Sequence, residues 1–162
     1  MSLAHLRLSR RRAFSLIELV IVIVIIGILA AIAVPRLSRG ATSASENALS
    51  ANLAAMRSAV ELFYAEHSNT YPSLAKFSES LTQYSDSTGT KFGDRDAANG
   101  LIYGPYLRTV PPLPVGANKG KTAAVAALGD DGGWVYDATK GTVKSNTAAG
   151  EVDSNGKKYS DY

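Results

Sequence analysis

The chain has 162 residues and no cysteine, and its 17 Lys and Arg against 14 Asp and Glu give a formal net charge of +3. The absence of cysteine excludes disulfides, Cys-ligated zinc, iron–sulfur clusters and a Cys nucleophile, and with His5 and His67 as the two histidines the composition disfavours an enzyme. Four arginines lie within residues 1–13, which leaves 13 basic against 14 acidic residues in the remainder, so a basic nucleic-acid-binding body is not supported.

Residues 1–13 form a short basic leader ahead of a long apolar segment. The leader has no acidic residue, and the 21 residues of segment 14–34 carry only Ser15 and Glu18 as polar side chains. As a helix this segment is roughly 30 Å long, which matches the hydrocarbon core of a bilayer. Arginines that precede an apolar span stay in the cytoplasm. We therefore expect a single membrane crossing with a cytoplasmic N-terminus and a C-terminal domain outside the cytoplasm.

A cleaved secretory signal is the alternative interpretation of the apolar segment. Ala31-Ile32-Ala33 has the A-x-A form of a signal-peptidase site. However, the apolar run is long for such a signal, and Glu18 would be an unusual residue within it. Because an ionisable residue in a membrane segment is costly, Glu18 is expected to have a function and a partner.

The sequence at the start of the span resembles the processing site of type IV pilin-like proteins. The matching residues are Arg10-Arg11-Arg12-Ala13, then Phe14-Ser15-Leu16-Ile17-Glu18-Leu19, and Pro35 at the end of the apolar run. The resemblance implies that a prepilin peptidase cuts between Ala13 and Phe14 and methylates the new N-terminus at Phe14. The residue before the cut is usually Gly in this family, whereas here it is Ala13.

The resemblance also implies assembly roles for three residues. Glu18 is expected to face the N-terminal amine of a neighbouring subunit, because opposite charges in apolar surroundings cost less together than apart. The alternative is a carboxylate that reaches the headgroups or is protonated and has no role. Gly27 and Pro35 are unfavourable inside a helix. They indicate either a kink at the membrane edge or a helical segment that extends when the subunit leaves the bilayer for the filament.

Residues 36–68 are predicted to form an amphipathic second half of the same helix. Apolar residues recur there at intervals of four and three: Leu49, Leu53, Met56, Val60 and Phe63. We expect this stripe to pack on a sheet of the same chain, with a partner-binding face as the alternative. Asn69 suits a left-handed cap, and Pro72 prevents continuation of the helix. His67 is expected on the surface, where it interacts with the helix dipole.

The region after the helix is predicted to hold a short helix at residues 78–84 and a polar loop at 85–100. Residues 122–128 are Ala-rich and apolar, and they indicate either a strand or a poorly formed helix. The clearest strand signal is a hairpin, in which residues 133–137 and 142–146 flank a four-residue turn that ends in Gly.

Three side chains of this hairpin are expected to form its buried face. Trp134 and Tyr136 alternate along the first strand and should pack on the amphipathic helix, with Val143 contributing from the second strand. A ligand site built around Trp134 is the alternative.

Two further motifs resemble the major subunits of type II secretion pseudopili. These are Tyr71-Pro72 after the long helix and Gly104-Pro105-Tyr106-Leu107 before a Pro-rich turn. The Asp-Pro-Trp-Gly that completes the second motif in those subunits is replaced here by Leu113-Pro114-Val115-Gly116.

The resemblance also implies a candidate calcium site, because major pseudopilins bind Ca²⁺ in their C-terminal loop. Calcium takes six to eight oxygen ligands, and Asp153 and Asp161 are the residues proposed to supply several of them, ahead of Asp130 or Asp131. Asp, Asn and Gly are also the ordinary residues of turns, which is the alternative interpretation. No cofactor is predicted to be required.

These observations predict an α+β protein with a pilin-like fold, in which a long N-terminal helix packs on a small antiparallel β-sheet with a loop-rich C-terminus. The predicted segments are the cleaved leader (1–13), the transmembrane half of the helix (14–35), its amphipathic half (36–68) and a small periplasmic domain (69–162). The predicted function is that of a structural subunit of a type II secretion pseudopilus in the bacterial inner membrane. A type IV pilus or competence pilin is the alternative, and a membrane-anchored periplasmic enzyme or binding module is the alternative from another class.

The resemblance implies a set of partners for such a subunit. They are copies of the same chain, other pilin-like subunits, a prepilin peptidase, an inner-membrane assembly platform with its ATPase, and the lipid bilayer. Nucleic acid is not an expected partner.

Overall fold

The computed structural model of the chain describes residues 14–162, and the predicted leader lies outside the described residues. The chain divides into two compact units, Met1–Gly40 and Ala41–Tyr162. Helix α1, Leu16–Glu66, contributes residues to both units. The combination of this helix with small sheets confirms the predicted α+β class.

In the first unit, the described residues are the N-terminal part of α1 and the two residues before it. Ser15 precedes the helix, and the Glu18 side chain in the first turn accepts the backbone N–H of Ser15 at 2.8 Å. This contact is one half of a capping box, S-x-x-E, which satisfies a backbone donor that the helix itself leaves unpaired. The helix continues through Pro35, although proline removes one backbone hydrogen bond.

In the second unit, α1 buries the predicted apolar stripe. Its buried members are Leu49, Leu53, Met56, Val60 and Phe63. They belong to one core cluster with Trp134, Tyr136 and Val143 of the predicted hairpin. The stripe therefore packs on strands of the same chain, as expected, and each large side chain contributes about 1.5–3 kcal/mol by its burial.

Short elements complete the second unit. A 3-10 turn, Leu74–Lys76, leads into helix α2, Phe77–Thr82, close to the predicted short helix. The strands are β1 (Tyr84–Ser85), β2 (Phe92–Gly93), β3 (Ala124–Val125), β4 (Trp134–Asp137) and β5 (Thr142–Ser145). Strands β1 and β2 pair antiparallel, so the segment predicted as a polar loop contains a strand. A second 3-10 turn, Tyr159–Asp161, lies near the C-terminus.

The predicted hairpin is confirmed in position and register. Strands β4 and β5 pair antiparallel, with Trp134 opposite Ser145 and Asp137 opposite Thr142. Asp137 shapes the turn because its carboxylate accepts the backbone N–H and the hydroxyl of Thr139, at 2.9 and 2.6 Å. Trp134 is fully buried, and its indole N–H donates to the carbonyl of Pro111 at 2.8 Å, which gives it the role of a core residue.

Strand β3 adds to this hairpin in parallel with β4, so the three-stranded sheet, in the order β3-β4-β5, is mixed. The chain passes very close to itself at this point. A Cβ added to Gly133 would overlap the carbonyl oxygen of Lys121, so glycine is required there for steric reasons. The Ala-rich segment thus forms a strand, one of the two structures that its sequence allowed.

The C-terminal end of α1 adopts the predicted left-handed cap. Ser68 and Asn69 have φ of 53° and 60°, and the Asn69 N–H donates to the Tyr64 carbonyl at 3.1 Å, the long bond of a Schellman motif. The prediction for His67 was wrong, because this side chain is 1% exposed. Its ring stacks on Phe63 with centroids 3.8 Å apart, and strand β1 covers it through Ser85.

Candidate assembly and processing site

The apolar span presents an exposed surface along its whole length. Every residue from 14 to 40 is exposed, and the large apolar side chains of the span range from 38% exposed at Val20 to 86% at Phe14. The helix is long and apolar enough to cross a membrane, and none of its apolar window is buried within the chain. A continuous apolar surface of this size requires lipid or other helices as its environment.

The predicted processing site lies at the start of this surface. Phe14 is exposed and precedes α1, so the residue that would become the mature N-terminus is not packed against the described chain. Ala13 lies outside the described residues. Cleavage between Ala13 and Phe14 and methylation of Phe14 therefore stay predictions.

Glu18 lies one helical turn from the predicted mature N-terminus. One oxygen of its carboxylate accepts the Ser15 N–H, and its side chain is exposed. The ion pairs within residues 14–162 join other residues, namely Lys76 to Glu79 and Lys121 to Asp131. Within residues 14–162, the Glu18 carboxylate has no cationic partner. It retains lone pairs for a further donor, since an ionised carboxylate has about four acceptor positions.

Gly27 and Pro35 lie on the exposed helix. A Cβ at Gly27 would meet no atom within 4 Å, so packing within the described chain gives no reason for glycine at this position. The carbonyl of Pro35 accepts the Arg39 Nε–H at 3.3 Å. The assembly roles that the resemblance implies for Gly27 and Pro35 stay predictions.

The candidate calcium residues lie in the C-terminal segment of the second unit. Asp153 is 8% exposed, and one of its oxygens accepts the backbone N–H groups of Asn155 and Lys157, each at 2.8 Å. The other oxygen accepts the Tyr162 hydroxyl at 2.5 Å, and this hydrogen bond, more than any other contact, lowers the pKa of Asp153. The Asp161 carboxylate accepts the hydroxyl of the adjacent Ser160 at 3.4 Å.

The surroundings of these carboxylates are those of hydrogen-bonded turns. Among residues 14–162, no group of three His, Cys, Asp or Glu side chains is placed to hold a metal ion. Asp131 pairs with Lys121 at 2.7 Å, and Asp130 accepts the Ala127 N–H at 3.3 Å. Three hydrogen bonds already occupy the two Asp153 oxygens, and the site with Asp153 and Asp161 stays a prediction.

Sequence reasoning missed two side chains of α1 that hold the C-terminal segment in place. Glu46 is 9% exposed, and it accepts the backbone N–H and hydroxyl of Ser154 at 2.8 and 2.9 Å, and the Tyr159 hydroxyl at 3.4 Å. Arg57 donates to the Val143 carbonyl at 3.2 and 3.0 Å from two nitrogens, and to the Tyr162 carbonyl at 2.6 Å. The signal for Glu46 was its position three residues before the first leucine of the buried stripe.

His67 and Ser85 form the one Ser–His contact that the described residues offer for nucleophilic chemistry. The His67 Nδ1 lies 2.7 Å from the Phe63 carbonyl, which can only accept, so this nitrogen carries a proton, and Nε2 lies 2.9 Å from the Ser85 hydroxyl oxygen. Both residues are buried, and no carboxylate orients the imidazole. Because a substrate would have no access to the hydroxyl, the pair serves the packing of the helix end.

Comparisons with known proteins agree with the geometry of the N-terminal helix. The chain matches the family model described as the prokaryotic N-terminal methylation motif over residues 8–34. Type II secretion system core protein G of Klebsiella pneumoniae is 27% identical over 111 residues, which cover 68% of this chain and 74% of that protein. No solved structure gave a significant match. These findings confirm the resemblance to type IV pilin-like proteins and point to a structural subunit with an apolar N-terminal anchor.

Proposed function

We propose that this chain is a structural subunit of a type II secretion pseudopilus in the bacterial inner membrane. The observation that carries the proposal is the exposed apolar helix whose first residues match the N-terminal methylation motif. The similarity to core protein G supports the secretion system over a type IV pilus or a competence pilin. In this role the chain supports protein secretion across the outer membrane.

The apolar surface of residues 14–35 serves twice in this proposal. It first faces the lipid tails, which need no polar partner from the helix because its backbone groups are bonded within the helix. After a prepilin peptidase removes residues 1–13 and methylates Phe14, the same surface packs against the helices of other copies and of other pilin-like subunits. When the helix leaves the bilayer for the filament, its contacts with lipid are replaced by contacts with protein. An inner-membrane assembly platform and its ATPase supply the work of extracting the helix from the bilayer.

Glu18 selects the register of this packing. Its carboxylate is one helical turn from the amine of Phe14 in the mature chain, and a neighbouring subunit that is shifted along the axis brings its own amine to the carboxylate. The pair forms only at the correct axial offset, and an incorrect offset leaves two charges unpaired in apolar surroundings. The exposed side chain and the absence of a cationic partner within residues 14–162 support this role.

The experiment that tests the proposal compares Glu18→Ala with Glu18→Gln in a bacterium with a complete type II secretion system. Glutamine keeps an oxygen that accepts the Ser15 N–H, whereas it lacks the charge, and alanine loses both. We expect both variants to enter the membrane and to be processed at Phe14, and neither to appear in sheared filaments. Glu61→Gln is the matched control, because Glu61 is an exposed glutamate of the same helix, and it should assemble as the wild type does.

Two results would separate the roles of this carboxylate, and a third would test the proposed function as a whole. Assembly by Glu18→Gln but not by Glu18→Ala would assign Glu18 to capping its own helix. Normal filaments from both variants would overturn the register role. A wild-type chain that keeps its leader in the presence of the peptidase would overturn the proposed function.

A further inference from the structure

We propose that Arg36 and Arg39 form a binding surface for anionic phospholipid headgroups at the end of the apolar span that is distant from the leader. We call these two residues the exit arginines. The inference rests on the proposed function in one respect, namely that residues 14–35 cross a bilayer. It adds a lipid partner for a pair of residues that neither the methylation motif nor the relative assigns.

The position of the exit arginines along the helix places them at the membrane surface. Arg36 lies twenty positions after Leu16, the first residue of α1. At about 1.5 Å per residue this distance is about 30 Å, the thickness of the hydrocarbon core. When the start of α1 lies at one edge of the hydrocarbon, Arg36 therefore lies at the level of the opposite headgroups. Arg39 follows within about one helical turn.

The two side chains share one face of the helix, since residues three apart are neighbours on a helical surface. Both are exposed. The Arg39 Nε–H donates to the Pro35 carbonyl, and this contact leaves the terminal N–H groups of the guanidinium for other acceptors. The guanidinium group matches a phosphate with two parallel hydrogen bonds, which makes arginine better suited than lysine to this partner.

The local charge favours an anion over a zwitterion. No acidic residue occurs between Glu18 and Glu46, and the ion pairs of residues 14–162 do not include the exit arginines. The segment around them is therefore purely cationic, so anionic headgroups are attracted more strongly than neutral ones.

Processing changes the importance of this surface. The leader arginines at positions 7, 10, 11 and 12 flank the span at its cytoplasmic end, and cleavage before Phe14 removes them. Between residues 14 and 56 of the mature chain, the exit arginines are then the only Lys or Arg side chains. In the mature chain, the exit arginines thus hold the helix to the headgroups of the periplasmic leaflet. This is the side of the membrane to which the subunit moves during assembly.

The test uses the full chain in nanodiscs of mixed phosphatidylglycerol and phosphatidylcholine, with retained lipids counted by native mass spectrometry. We expect the wild type to retain phosphatidylglycerol in excess of its share in the disc, by roughly fivefold per exit arginine at low salt. The double variant Arg36→Gln with Arg39→Gln should lose this excess, and Arg36→Lys with Arg39→Lys should keep part of it. The leader is identical in all variants, so differences between them report the exit arginines alone.

The matched control is Arg95→Gln with Arg108→Gln, which removes two exposed arginines of the second unit and the same total charge. This control should retain phosphatidylglycerol as the wild type does. An unchanged excess in the Arg36 and Arg39 double variant, or an equal loss in the control, overturns the inference and leaves the proposed function standing. The resistance of the membrane-bound wild type to alkaline extraction is measured in parallel. A chain that fails to insert into the bilayer would overturn both the inference and the proposed function.

Discussion

The buried carboxylate of Glu46 offers a sharp test of how the second unit holds its C-terminal segment. Glu46→Ala removes an acceptor from the backbone N–H and hydroxyl of Ser154 and from the Tyr159 hydroxyl. The segment from residue 151 to residue 162 would keep its Arg57 contact with the Tyr162 carbonyl and the packing of Tyr159 in the core. We expect the second unit to stay folded and to lose stability.

The expected loss follows from the geometry of these contacts. A hydrogen bond to a charged group contributes about 1.5–3 kcal/mol, and two of the three contacts are shorter than 3 Å. Because Ser154 is exposed, water replaces part of the hydrogen bonding that Ser154 loses with Glu46. We therefore expect the free energy of unfolding to fall by about 2 kcal/mol. For a unit of the size of Ala41–Tyr162, 1 kcal/mol lowers the midpoint of thermal unfolding by roughly 4 °C, so the expected shift is about 8 °C.

The assay is the thermal unfolding of the full chain in detergent micelles, followed by tryptophan fluorescence. Trp134 is the one Trp of the chain and is fully buried in the second unit, so its emission reports the unfolding of this unit. Glu61→Ala is the control, because Glu61 is exposed and its contact with the Tyr71 hydroxyl is long, at 3.5 Å. It should change the free energy of unfolding by less than about 0.5 kcal/mol. Equal midpoints for the two variants would refute the reasoning.

Three further predictions concern the C-terminal carboxylates and the leader. Tyr162→Phe should raise the pKa of Asp153 toward its ordinary value, measured by carboxyl-carbon NMR. Because a lowered pKa stabilises the fold above the unfolded value of about 3.9 and the effect is lost as pH falls through the folded value, the variant should lose less stability in acid. If Asp153 binds calcium, Ca²⁺ raises the unfolding temperature of the wild type but not of Asp153→Asn, whereas equal temperatures with Ca²⁺ and with excess chelator would discard the site. Ala13→Gly should be cut by prepilin peptidase at least as fast as the wild type and Ala13→Trp should not be cut, as followed by the shift of the band on a gel; equal rates for the two would contradict the predicted cleavage site.

The parts of the fold that local sequence patterns determine could be predicted. The stripe from Leu49 to Phe63 follows from helical periodicity, and the hairpin follows from alternation around a turn that ends in Gly141. The cap at Asn69 follows from its tolerance of positive φ and from the proline that comes three residues later.

The features that depend on distant segments could not be predicted in this way. His67 is buried because Ser85, 18 residues later, covers the helix end, and no local pattern indicates which strand returns there. Glu46 is held by Ser154, which is 108 residues away in the chain. The parallel pairing of β3 depends on the close approach at Gly133, whose steric requirement appears only in the folded chain.

The residues of the proposed site were predicted from a motif, whereas the fold was predicted from local periodicity. Phe14, Glu18 and Pro35 were singled out because they occur in a fixed order around the apolar run, and the methylation motif matches the residues from 8 to 34. The structure adds the hydrogen bond from the Ser15 N–H to Glu18, which is the contact that an S-x-x-E capping box predicts. The exit arginines were not singled out from sequence, because their meaning depends on the length of the exposed helix.

The mass of the mature N-terminal peptide tests the central claim most directly. The chain is produced in a bacterium with a prepilin peptidase, recovered from the membrane fraction, and digested for mass spectrometry. We expect an N-terminal peptide that begins at Phe14 and carries the additional mass of one methyl group. A mature N-terminus after Ala33, or a chain that retains residues 1–13, would contradict the claim that the span is kept and used for assembly.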